Sequence, residues 1–155
     1  MPSLLLMPHS QTRTASSDRW IEITARPLPL SDVHAFLADD RAGGTALFIG
    51  TTRRWTGDIE TPWLDYDAYT PMALDQLDAL VTNAFLGWTL QKAVLLHRLG
   101  RVHPTEPSVV VGVASAHRAE AFEACRWLID TLKADVPIWK QEGVPSYAPR
   151  DSVWL

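Results

Sequence analysis

The sequence predicts an α+β fold, a sheet with two main helices packed on it. Three observations carry this. Short segments with alternating or Val-rich apolar patterns recur along the chain. Two longer segments place apolar residues three and four apart. The resulting order, β-α-β-β-α-β-β-α-β, sets pairs of strands between helices.

Each element has its own signal. Trp20 to Ala25 alternates as a strand and stops at Pro27 and Pro29. Ser31 is placed to N-cap a short helix with Val33, Phe36 and Leu37 on one face. Gly43-Gly44 closes that unit, and Thr45 to Thr52 reads as a buried strand. Arg53 to Pro62 is polar, contains Gly57 and reads as a mobile loop; Trp63 to Tyr69 is a strand again. Thr70-Pro71 signals a helix start, a capping hydroxyl followed by proline at the first helical position. Leu77, Leu80, Val81, Ala84, Phe85 and Trp88 form its apolar stripe, and Gly87 marks its end. Lys92 to Leu99 and Ser108 to Ser115 are strands, separated by Gly100, Pro104 and Pro107. A second long helix spans Arg118 to Ala134, with Ala121, Phe122, Cys125, Leu128, Ile129 and Leu132 on its stripe. Pro137 ends helical structure, and Ile138 to Lys140 is extended.

Composition excludes several classes. The 155 residues fit one domain, taken as 19–155, behind a polar tail over 1–18 that is expected to be disordered. A net charge of −4 lacks the basic excess of a nucleic-acid binder. The Leu4-Leu5-Leu6-Met7 run is too short to span a membrane. Cys125 is the single cysteine, so no internal disulfide forms and a reducing, cytoplasmic setting is expected. Mid-helix on the stripe, Cys125 reads as a buried small hydrophobe rather than a nucleophile. His9, His34 and His103 have no partners at ligand spacing, so no metal site is expected. No glycine-rich phosphate loop or dinucleotide fingerprint occurs, and no cofactor is expected. Most of the seven tryptophans fall on positions that look like core rather than base-stacking platforms.

The cations are distributed unevenly. The chain has 11 arginines but only three lysines, Lys92, Lys133 and Lys140. An amine can lose its proton when desolvated or placed beside another cation, whereas a guanidinium cannot. A helix end at Lys133 and an extended segment at Lys140 could bring two amines to one pocket, where mutual repulsion frees one as nucleophile or base. Trp139 could wall such a pocket and Glu142 could orient Lys140. A cation favoured by the helix dipole at Lys133 is the plain structural alternative. His117-Arg118 sits at a strand-to-helix junction, a natural anion site, or else a simple cap and a solvated arginine. Arg53-Arg54 follows a strand end and reads equally as an anion clamp or a solvated loop. His97-Arg98 lies on a strand, where a structural role is expected.

Motifs in sequence order tie these features together: Gly50-Thr-Thr-Arg53, Leu64-Asp-Tyr-Asp-Ala-Tyr-Thr-Pro-Met72-Ala73, His97-Arg-Leu-Gly100, Val111-Gly-Val-Ala-Ser-Ala-His117-Arg118 and Pro137-Ile-Trp-Lys-Gln-Glu142. With them, from about Trp20 to Trp154, the sequence resembles the MoaE family, the large catalytic subunits of molybdopterin synthase. The resemblance implies an α/β hammerhead fold with an additional antiparallel β subdomain. It implies a sulfurtransferase that converts cyclic pyranopterin monophosphate into the molybdopterin dithiolene. Sulfur would come from the C-terminal thiocarboxylate of a small MoaD-type ubiquitin-like subunit, within a heterotetramer built on a homodimer. By position, Lys133 and Lys140 match the family's two essential lysines. Arg53, His117 and Arg118 match the residues that hold substrate, some of them across the dimer. Asp67 stands where the family usually has glutamate. A non-catalytic homologue that binds a peptide tail or a pterin anion is the rival reading.

Overall fold

The computed structural model describes residues 13–144 and the strand Val153–Trp154. In order, the elements are β1 (Arg13–Ala15), β2 (Arg19–Thr24), α1 (Leu30–Leu37), β3 (Gly44–Thr51), β4 (Trp55–Thr56), β5 (Ile59–Glu60), β6 (Leu64–Ala68), α2 (Thr70–Gly87), β7 (Leu90–Arg98), β8 (Gly100–Val102), β9 (Pro107–Ser115), α3 (Arg118–Asp135), β10 (Ile138–Glu142) and β11 (Val153–Trp154). This is the α+β class expected. A five-stranded sheet runs β1-β2-β7-β9-β3, and a four-stranded sheet runs β11-β10-β6-β8. Among the strands of the described residues, only β2 and β7 pair in parallel; the second sheet is antiparallel and forms the added β subdomain.

The central strands explain their own composition. β7 and β9 are covered on both faces, so they read as near-continuous apolar runs instead of alternating. Ala93, Leu95, Val109, Val111 and Val113 meet Leu77, Val81, Ala84, Ala121, Leu128 and Leu132 from α2 and α3. On the opposite face Val94, Leu96 and Val110 meet Val33 and Leu37 of α1, with Trp20. Gly112 lets α1 approach, because a Cβ there would lie 2.6 Å from Leu37 Cδ1.

Several expectations change. Neither Ser31 nor Thr70 caps its helix by side chain: Pro29 and Tyr69 occupy the N-cap positions without a side-chain bond. Proline within the first turn of α2 starts the helix, since its missing N–H has no intrahelical partner there in any case. The stretch from Arg53 to Pro62 is not a plain loop. It contains the β4–β5 hairpin, turning at Gly57 with φ 60° and bridged by Arg54 and Glu60 at 3.5 Å. Within the tail expected to be disordered, Arg13–Ala15 pairs antiparallel with β2; residues 1–12 lie outside the described residues. β3 is a sheet edge rather than a buried strand, and Leu47, Phe48 and Ile49 are exposed. Phe122 leaves the stripe of α3 and is 66% exposed, while the small Ala124 takes a core position. Trp55 and Trp139 are exposed as well.

Leu128 is fully buried between α3 and the sheet. Leu128→Ala should therefore lower the unfolding free energy by about 2–5 kcal/mol, read as a drop in the urea midpoint at unchanged m-value.

Candidate active site

Three chain reversals bring separated cations together. The first is at the end of β3, where a register irregularity falls between Gly50 and Thr51. Such a bulge bends the strand and re-aims the residues beyond it. Thr52 is then gripped at both backbone groups: its N–H donates to the Glu106 carbonyl at 3.3 Å, and its carbonyl accepts from the Thr105 N–H at 2.9 Å. Thr105 is held at φ 75°, an unfavourable region for a β-branched residue. Glu106 locks this turn by accepting from the His103 N–H at 2.8 Å and from Arg98 Nη1 at 3.1 Å. Those two bonds, backbone first, hold its carboxyl below the usual range. Arg53 leaves the clamped Thr52 directly.

The second reversal ends α3. Lys133 lies in its last turn, where the negative end of the helix dipole favours a cation. Val136 N–H closes the helix on the Leu132 carbonyl, and Pro137 prevents continuation. The third comes at once: β10 pairs antiparallel with β6 and sets Lys140 opposite Tyr66.

A cavity of about 410 Å³ opens between the two sheets. Arg53, Lys133, Lys140, Trp139 and Glu142 line it, so five of the seven expected site residues share one space. Arg53, Lys133 and Lys140 make no hydrogen bond or ion pair among the described residues. Three unpaired cations against one carboxylate, Glu142, leave the cavity with excess positive charge, which favours an anion.

The structure adds residues that sequence reasoning passed over. Tyr66, His97 and Ser108 also line the cavity. His97 was expected to be structural, and Tyr66 entered only within a motif. His97 is buried, with Nδ1 2.8 Å from the Arg98 carbonyl. A carbonyl only accepts, so Nδ1 carries the proton and Nε2 is left as an acceptor. Burial above all, with the Lys133 charge adding to it, pushes the His97 pKa down to about 4 against the bond to Arg98. The Tyr66 ring meets the imidazole edge-on at 4.9 Å. Burial raises the Tyr66 pKa, and a hydrogen bond with Ser108 partly offsets this. The one available signal was a histidine ending the apolar run Val94-Leu95-Leu96.

His117 and Arg118 stand elsewhere. His117 is the N-cap of α3 and makes no side-chain cap bond. At about 1.5 Å per residue, fifteen residues of helix put Arg118 about 22 Å from Lys133. Arg118 instead abuts the start of β3, where a Cβ on Gly44 would lie 3.3 Å from its Cα. Within one chain the expected site is therefore split between the two ends of β3.

Comparison with known proteins agrees with this architecture. The family described as MoaE protein matches residues 23–135. The human molybdopterin synthase catalytic subunit is 38% identical over 122 residues, covering 79% of this chain and 65% of the relative, just under two thirds of its length. The catalytic subunit from Thermoplasma volcanium is 41% identical over 124 residues, covering 79% of this chain and 90% of that one. A crystal structure of molybdopterin synthase from Staphylococcus aureus superposes with a TM-score of 0.81 at 28% identity, covering 92% of this chain and 98% of that chain.

His97 sets a pH dependence with a definite sign. Folded, it titrates at about 4; its ordinary value is 6.5. Between those values the unfolded chain binds more protons, so stability rises with pH across that window and falls on acidification. Urea midpoints measured from pH 7 down to 4 should decline, and His97→Gln should make the decline shallower.

Proposed function

This chain belongs to the MoaE protein family, and we propose that it acts as the catalytic subunit of a molybdopterin synthase, a sulfurtransferase. Sulfur passes from the C-terminal thiocarboxylate of a small MoaD-type ubiquitin-like carrier to cyclic pyranopterin monophosphate. Two such additions make the molybdopterin dithiolene. One observation carries the reading: Arg53, Lys133 and Lys140 converge, unpaired among the described residues, on one cavity. Both reactants are anions, a thiocarboxylate and a phosphate ester, and a cavity with excess positive charge favours both. Its volume suits a small ligand and the end of an extended tail.

The roles follow from position. Lys133, at the helix end, stands beside the carrier's terminal carbonyl and is the amine able to form an isopeptide with it. Lys140, on β10, orients the substrate and moves protons, with Glu142 two residues away as its orienting carboxylate. Trp139 walls the cavity and limits water. The carrier's sulfur bonds to a substrate carbon as the carbon–oxygen bond there breaks, the oxygen leaving as phosphate or as water. Water then adds to the acyl carbon, the acyl C–S bond breaks, the sulfur stays on the substrate as a thiolate, and the carrier leaves as a carboxylate.

The split of the site supports a homodimer within the heterotetramer. β3 is an open edge with exposed Leu47, Phe48 and Ile49, the kind of strand that pairs with another chain. Two copies related by a two-fold axis across this edge would run β3 against β3. The Gly44 end of one strand, carrying His117 and Arg118, would then meet the Arg53 end of the other. Each substrate phosphate is held by Arg53 of one copy and by His117 and Arg118 of its neighbour. A cytoplasmic location fits the single, buried cysteine. No helix among the described residues is long and apolar enough to cross a membrane.

The chain, mixed with thiocarboxylated carrier and the pterin precursor, should yield dithiolene product. Binding of both without product would favour the non-catalytic tail- or anion-binding reading. Lys133→Ala should lower turnover by about 100-fold or more while dimer mass by light scattering stays unchanged. Lys133→Ala and Arg118→Ala, each inactive alone, should recover about a quarter of wild-type activity when unfolded and refolded together, because half the dimers then carry one intact site. No recovery would reject the shared site.

A further inference from the structure

His97 lines the cavity, yet the reaction as proposed gives it no task. Its surroundings are unusually constrained. Main-chain pairing sets it beside Ile23 of β2 and Val109 of β9. Tyr66 of β6 packs on its ring, and Lys133 of α3 is the charged group it feels. The Nδ1–H is committed to the Arg98 carbonyl at 2.8 Å, so the ring cannot turn over without losing that bond. What remains is Nε2, a neutral acceptor beside the cavity that Lys133 also lines.

We propose that His97 is a positioning residue for Lys133: the amine makes no hydrogen bond among the described residues, and when it swings into the shared cavity Nε2 of His97 accepts one of its N–H groups and fixes its direction. The proposal rests on the preceding section only in taking Lys133 as the working amine. Its physical basis is the choice of acceptor. A long lysine side chain at a helix end needs something to hold its direction, and here it has no carboxylate bonded to it among the described residues. A carboxylate would hold it too, but would also bind its proton by charge and silence the nucleophile. A neutral imidazole with a fixed tautomer orients the amine and leaves the proton free to go. Burial keeps the imidazole neutral above about pH 4, so the arrangement does not change with pH near neutrality.

The test uses the small number of lysines. With only Lys92, Lys133 and Lys140 present, acylation by an N-hydroxysuccinimide ester can be followed at each by peptide mass spectrometry. Lys92, which donates to the Phe36 carbonyl at 2.9 Å on the α1 side, is the internal control. His97→Glu should slow acylation of Lys133 by about tenfold or more near pH 8, the effect of one pKa unit, and slow Lys140 less. Lys92 should stay within about twofold, the scatter expected for a remote surface amine. His97→Gln, which keeps a neutral acceptor at similar reach, should leave Lys133 near its wild-type rate. An unchanged Lys133 rate in folded His97→Glu would overturn the proposal, as would equal slowing of all three lysines. If His97→Glu does not fold, kcat decides: His97→Phe should lower it by about tenfold with the KM for the carrier unchanged, and His97→Gln should restore it. Equal losses in both variants would reject the role. The acylation arm uses neither carrier nor pterin, so its outcome is separate from that of the sulfur-transfer assay.

Discussion

Double-sided burial of β7 and β9 is the constraint on which the molecule rests. α2 and α3 seal one face and α1 the other, so both strands must be apolar in both directions and cannot shift register without exposing a full set of side chains. With those strands fixed, their shared end is fixed as well. His97 lies next to the last residue of β7 there and Ser108-Val109 follow the first residue of β9, and these residues line the cavity. The site is thus set at the end of the doubly buried strands, while its cations arrive on the parts that turn: a bulged strand end, a helix terminus and a short strand of the second sheet.

That division matters electrostatically. Three cations facing one cavity repel each other, and nothing in their own chemistry would gather them. They are gathered by backbone structure made elsewhere. The turn at 103–106 clamps Thr52 before Arg53, Pro137 ends α3 after Lys133, and pairing with β6 sets Lys140. The strained Thr105 and the doubly bonded Glu106 belong to the same device, since they hold the chain entering Arg53 from both sides. Binding of an anion would relieve that repulsion, so the excess charge favours anionic ligands.

The edge strand β3 links the site to assembly. One end meets Arg118 and the other leads to Arg53, so the strand spans the separation between the two groups of expected substrate ligands. Its exposed Leu47, Phe48 and Ile49 would be a liability on a solitary chain. Antiparallel pairing of two copies would cover them and unite the ligand groups in one step, so assembly and catalysis would share a cause.

By itself the sequence determined the class of fold, the helices α2 and α3 to within a residue or two, and the central strands, because periodicity and proline placement are local properties. It also marked Lys133, Lys140 and Arg53 through residue choice and motif order. Only the tertiary structure decided which of them meet. Convergence of Arg53 with the lysines depends on a bulge and a distant turn, neither of which has a local signature. The exposure of β3 depends on its having one neighbour, β9, and no second among the described residues. The separation of His117-Arg118 from the lysines comes from the length of α3, which the sequence did contain. The place of His97 depends on which face of a doubly buried strand looks into the cavity. A continuous apolar run carries no period from which that face can be read.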